Sequence, residues 1–125
     1  MKLALQRLGV ATALATALTG ARAASYVVDV QFPDDTTATP VTLDVEDFGE
    51  PQTAKSPSGV FVAVAARHGL QGKMLESTVN VIDNAGTEQA SSTGIATQYL
   101  LLDHPLALRS PAGAAVVLTL KQIHE

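Results

Sequence analysis

The sequence predicts an all-β protein, a small antiparallel β-sandwich or open barrel of about six strands preceded by a cleaved signal peptide. Three observations carry this. Runs of alternating apolar and polar residues recur between turns rich in glycine and proline. No helical period of useful length appears after residue 23. The stretch Val60-Phe61-Val62-Ala63-Val64-Ala65-Ala66 is apolar on both alternating faces. A strand wetted on one side alternates, so this one reads as a central strand covered on both sides.

The first segment reads as an address. Lys2 and Arg7 open the chain, an uncharged run rich in Leu and Ala extends from Leu8 to Ala21, and Ala21-Arg22-Ala23 follows. That is the charged, apolar and small-residue pattern of a secretory signal peptide, with cleavage after Ala23. The run is shorter than the roughly 20 residues a spanning helix needs. The domain division is thus 1–23 as signal peptide and 24–125 as a single β-domain, with no transmembrane segment after cleavage. The short signal fits a bacterial chain, and the destination is the periplasm or the outside of the cell.

Cleavage removes Lys2, Arg7 and Arg22 and no acid. It leaves Lys55, Arg67, Lys73, Arg109 and Lys121 against all 12 acidic residues. Nucleic acid and anionic membranes are therefore poor partners. There is no cysteine, hence no disulfide, although an oxidising compartment would permit one.

Strands are expected in order at residues 25–32, 41–46, 59–66, 73–82, 95–102 and 114–123. In the first, Tyr26, Val28, Val30 and Phe32 share one face. Pro33 and Pro40 bracket a polar loop, after which Val41, Leu43 and Val45 turn inward. Residues 47–58 read as a loop, with Phe48 folding back over the core edge. Residues 59–66 and 73–82, joined by a glycine turn, form the best hairpin. In the second of these, Leu75, Val79 and Val81 share one side with Ser77 among them. Residues 83–94 read as turn and polar connection, and 106–108 as a very short strand. The expected pairing is first with second, third with fourth, and fifth with sixth. No internal repeat of fixed period is visible.

Chemical motifs are sparse. His68, His104 and His124 stand apart, and no pair has the spacing that aims two imidazoles at one ion. A calcium loop begun at Asp44 would place Phe48 and Lys55 where oxygen ligands belong. Without a cysteine or a G-x-S-x-G elbow, nucleophilic catalysis has no foothold. A glycosidase carboxylate pair lacks aromatic platforms, since there is no Trp. Phosphate and dinucleotide fingerprints are absent. No catalytic, cofactor-binding or metal residue is assigned, and no cofactor is implied.

The tail from Gly113 to His124 resembles the terminal strand of pilin subunits, with alternating apolar residues after a glycine. It departs from them where His124 replaces the usual penultimate aromatic, and the paired cysteines are missing. No family follows from it. What it implies is strand addition through a terminal strand.

The expected function is a secreted or periplasmic binding or accessory module of the bacterial cell envelope, non-enzymatic and acting by contact with a protein partner or with itself. The alternatives are a self-assembling fibre or surface subunit that uses strand addition, and a small periplasmic hydrolase. The expected interaction loops lie at one end of the sandwich and contain Asp34, Asp35, Glu46, Asp47, Glu50, Arg67 and His68.

Overall fold

A computed structural model describes residues 24–71 and 74–124. The signal-peptide segment and Lys73 lie outside the described residues. The described chain is all β, with nine strands: β1 Ser25–Gln31, β2 Val41–Glu46, β3 Gln52–Lys55, β4 Phe61–Gln71, β5 Met74–Asp83, β6 Ser91–Ser92, β7 Ala96–Leu101, β8 Leu106–Arg109 and β9 Ala115–His124. They form two antiparallel sheets. The first has the order β2-β1-β9-β8. In the second, β3-β4-β5 run side by side, and the far side of β5 is shared by β7 and β6. The sheets do not close into a barrel.

The alternation seen in the sequence becomes the core. Tyr26, Val28 and Val30 of β1 are buried with Leu43 and Val45 of β2 and with Val116, Leu118 and Leu120 of β9. They pack with Val62, Val64, Leu75, Val79, Val81 and Leu100 of the other sheet in one cluster. Ser77 shares that inner face, fully buried, because its hydroxyl donates to the Gln98 carbonyl (2.8 Å). A buried hydroxyl without such a partner would cost about 1–3 kcal/mol.

Several expectations change. The segment 47–58 is not all loop, since β3 pairs there with β4, and β6 forms within the polar connection. The fifth and sixth expected strands do not pair. The fifth, β7, lies on β5, and the last, β9, lies between β1 and β8. The central strand is covered on one face only: Val62, Val64 and Ala66 are buried, while Phe61, Ala63 and Ala65 stay half-buried with no second layer over them. Small side chains there let a bare face read as a covered one. Phe48 does not fold over the core either; it is 75% exposed.

The structure also contains a repeat that no fixed period reveals. Residues 25–68 and 74–122 follow one plan: long strand, antiparallel partner, crossover, short edge strand, tight turn, long strand. In this plan β1, β2, β3 and β4 correspond to β5, β7, β8 and β9. The first sheet, β2-β1-β9-β8, thereby matches the second read as β7-β5-β4-β3. The registers agree: Tyr26 faces Val45 as Leu75 faces Leu100, and Val30 faces Leu118 as Val79 faces Val64. Even the irregularities agree. The β1–β9 ladder skips Lys121 and the β4–β5 ladder skips Arg67, at corresponding places. Both crossovers make a parallel bridge, Asp47 to Ala66 and Leu102 to Leu120, and then a residue with positive φ, Phe48 (56°) and Asp103 (62°). Connections of unequal length between matching strands hide the repeat from a search for a period.

Each half ends its short edge strand in the same turn, Ser56-Pro57-Ser58-Gly59 and Ser110-Pro111-Ala112-Gly113. The serines are buried, and their hydroxyls accept the Val60 and Ala114 N–H groups at 3.1 and 2.9 Å. Gly59 and Gly113 have φ of 97° and 95°, which L side chains rarely adopt.

Neighbouring residues of β7 test the layering. Leu100 is fully buried and Leu101 is 47% exposed. Leu100→Ala is expected to cost about 2–5 kcal/mol in urea unfolding and Leu101→Ala less than about 1 kcal/mol.

Candidate functional site

The two sheets present unlike outer faces. On the first, the outward residues of β2 are Thr42, Asp44 and Glu46, all exposed, and the Thr42 hydroxyl donates to Asp29 on β1 (3.0 Å). On the second, the corresponding strand β7 turns Thr97, Tyr99 and Leu101 outward. Tyr99 is 53% exposed, and Ile95, just before the strand, is 77% exposed. With Phe48 and Leu101, these are the large apolar side chains left open to solvent among the described residues.

Phe48, Pro51 and Ile95 border a shallow groove floored by Ala63, Ala65 and Thr78 on β4 and β5. The groove exists because the floor residues are small and the rim residues sit on connections. Phe48 is held over the sheet by its N–H, which donates to the Ala66 carbonyl (3.2 Å). The part over Ala63 and Ala65 holds about 100 Å³, and the wider part beside Phe48 and Arg67 about 440 Å³. Arg67 stands at the end of the groove beside Phe48.

The expected interaction residues divide between the two ends of the sandwich. Asp34 and Asp35 follow β1 at the end where the serine turns lie. Glu46, Asp47 and Glu50 lie at the other end, where Asp47 bridges Ala66 and Arg67 follows. The backbone of His68 pairs with Glu76 in β4–β5, and its side chain lies outside the described residues. Glu46 and Glu50 are exposed, and Asp47 donates its N–H to the Ala24 carbonyl (3.0 Å).

Asp34 and Asp35 are tied into the fold. Asp34 Oδ2 accepts the Ala115 N–H (2.8 Å), with the Arg109 guanidinium 3.9 Å away. Asp35 Oδ1 accepts from the Thr37 hydroxyl and N–H, and its Oδ2 accepts the Ser58 N–H (3.0 Å). The other half repeats the last bond, with Asp83 Oδ2 accepting the Ala112 N–H (2.6 Å). Each serine turn is thus capped by a carboxylate, and both caps join the two sheets. The Thr37 hydroxyl above all, then the Thr37 and Ser58 N–H groups, holds the Asp35 carboxyl below its ordinary value, against the opposing pull of desolvation.

The remaining candidates are placed as structural parts. His104 Nδ1 lies 2.9 Å from the Leu102 carbonyl, and Ser56 and Ser110 serve their turns. No group of three or more His, Asp or Glu side chains gathers in metal-binding geometry among the described residues. No helix among them is long and apolar enough to cross a membrane. No protein-family model, curated protein or solved structure matches the chain. The outer face of the second sheet was missed in the sequence because Phe48, Ile95 and Tyr99 come from separate segments. Its one legible signal is the uncharged stretch from Gln89 to Leu102.

The Asp35 cap gives a pH signature. Its folded-state carboxyl titrates below the ordinary 3.8, so its stabilisation is complete above that value and is lost as pH falls through the lower, folded one. Asp35→Ala is expected to melt below the parent chain at neutral pH. The gap between the two melting temperatures should close in a series taken below pH 3.8.

Proposed function

We propose that this chain is an exported, non-enzymatic binding or accessory module of the bacterial cell envelope that works by contact through the outer face of its second sheet. One observation carries the reading. Phe48, Ile95, Tyr99 and Leu101 are all exposed on that side, and at corresponding positions the first sheet's side carries Asp103, Pro40, Asp44 and Glu46. The same framework therefore carries three charged residues and a proline on one sheet's side and apolar residues on the other's. Folding does not require the apolar set. Exposed apolar side chains gathered on one face of an acidic protein mark a contact surface.

The terminal strands are engaged inside the chain. β1 lies between β2 and β9, and β9 lies between β1 and β8. This favours a contact made by a face or a free edge over donation of either terminal strand.

Export is read from the purified product: its intact mass is expected to begin at Ala24. Contact is read in the exporting cell, with a photo-crosslinking residue placed at Ile95 or Tyr99 and, as matched controls, at Pro40 or Asp44. Adducts are expected from the first pair and not from the second. Equal yields from both faces, or none from either, would overturn the proposed surface.

A further inference from the structure

We propose that the free edge of β7 pairs antiparallel with the β7 edge of a second copy of this chain, joining two second sheets into one. This rests on the contact reading above and names the partner. Among the described strands five lie at sheet edges, one of them the two-residue β6. β3 and β8 are four residues long, carry Lys55 and Arg109, and are flanked by prolines on both sides. β2 carries Asp44 and Glu46. Short length, charge and proline are the devices that keep an edge from pairing with another chain. β7, six residues long, has none of them. Its matching strand in the other half, β2, is protected by charge, so the fold itself permits protection here and this sequence omits it.

Two further observations point to the same edge. Thr93 binds Val81 through both its N–H and its hydroxyl (2.9 and 3.1 Å), so the chain entering β7 is fixed on β5. Beside it, between β7 and β8, an opening of about 140 Å³ is lined by Val79, Val81, Ala96, Gln98, Leu108 and Arg109. A strand laid along β7 would cover the opening.

The seam's lack of charge admits a second copy of this acidic chain as the occupant. The chain is acidic, so two copies repel each other wherever their charged faces meet. A different chain drawn to an acidic protein would be met by acidic residues at the seam, and this edge offers none. Self-pairing with Gln98 on the two-fold axis sets Ile95 opposite Leu101 and Thr97 opposite Tyr99 on the outer face. On the inner face it sets Ala96 opposite Leu100. No charge is placed against another from Gly94 to Leu102. Each copy has one such edge, so the assembly closes as a dimer rather than growing.

Sedimentation velocity on the exported chain, over a wide concentration range, is expected to show a reversible monomer–dimer equilibrium without larger species. Thr97→Lys with Tyr99→Lys sets lysines opposite one another twice and is expected to weaken the dimer at least about tenfold. Thr97→Lys with Tyr99→Glu sets opposite charges together and should keep it. Gln98→Cys, in a chain without other cysteines, is expected to oxidise to a covalent dimer, because strand neighbours across the axis lie within disulfide reach. Glu88→Cys, in the preceding loop, should not. The cysteine pair decides the matter if the lysine variants fail to fold. A chain that stays monomeric, or a dimer indifferent to both substitutions at 97 and 99, overturns the pairing. In either case, crosslinks from Ile95 or Tyr99 to another protein would leave the contact face standing.

Discussion

Both sheets depend on a single ladder between the two halves of the chain, β1 with β9 in one and β5 with β4 in the other. Each half supplies one hairpin to each sheet, and a lone two-stranded hairpin is marginal in water. Neither half can bury its own apolar stripe. Tyr26, Val28 and Val30 need Val116, Leu118 and Leu120 beside them, and those residues come from the far end of the chain. Stability is accordingly cooperative, and closing the β1–β9 ladder carries a large loop entropy that later contacts must offset. The shared skip at Lys121 and Arg67 belongs to the same constraint. An extra residue there lets each ladder twist while the inward set stays inward on both sides of it.

The acidic residues divide by what they touch. Asp34, Asp35 and Asp83 invite a ligand reading in isolation, yet each accepts a backbone N–H from a segment distant in sequence. Each such bond ties a turn or strand end to a distant segment of the chain. Asp44 and Glu46 touch no partner of that kind and stand on an open edge, where charge serves to repel a second strand. The net negative charge thus combines capping and edge protection, and neither use requires an acidic binding site.

Much of the fold was legible because period-2 alternation reports directly on which side chains face a core. Ser77 shows how far this reaches: its place among Leu75, Val79 and Val81 was readable although it is polar, and its bond to Gln98 was not. The failures have physical causes as well. β3 and β6 are too short to display a period. Ala63 and Ala65 are apolar without needing cover, so composition alone could not tell a bare face from a packed one. Sheet order depends on pairings between distant segments, which no local pattern encodes. The site was less legible than the fold, because Phe48, Ile95 and Tyr99 come together only when β4, β5 and β7 lie side by side.

The repeat supplies what a single structure usually lacks, a control built on the same backbone plan. An exposed tyrosine or leucine on a monomer is unremarkable, since much of any protein surface is apolar. Here each such residue has a counterpart in the same register: Asp44 for Tyr99, Glu46 for Leu101, Asp103 for Phe48. The counterparts sit in strands and crossovers with the same pairing, so backbone geometry does not account for the difference. Packing beneath the strands does not either, because the inward residue between each pair, Val45 in β2 and Leu100 in β7, is fully buried in both halves. On the proposed pairing, what distinguishes the two edges is what lies outside the chain. Water and self-repulsion suit β2. For β7, the arrangement consistent with its lack of charge is one in which its outer side is covered.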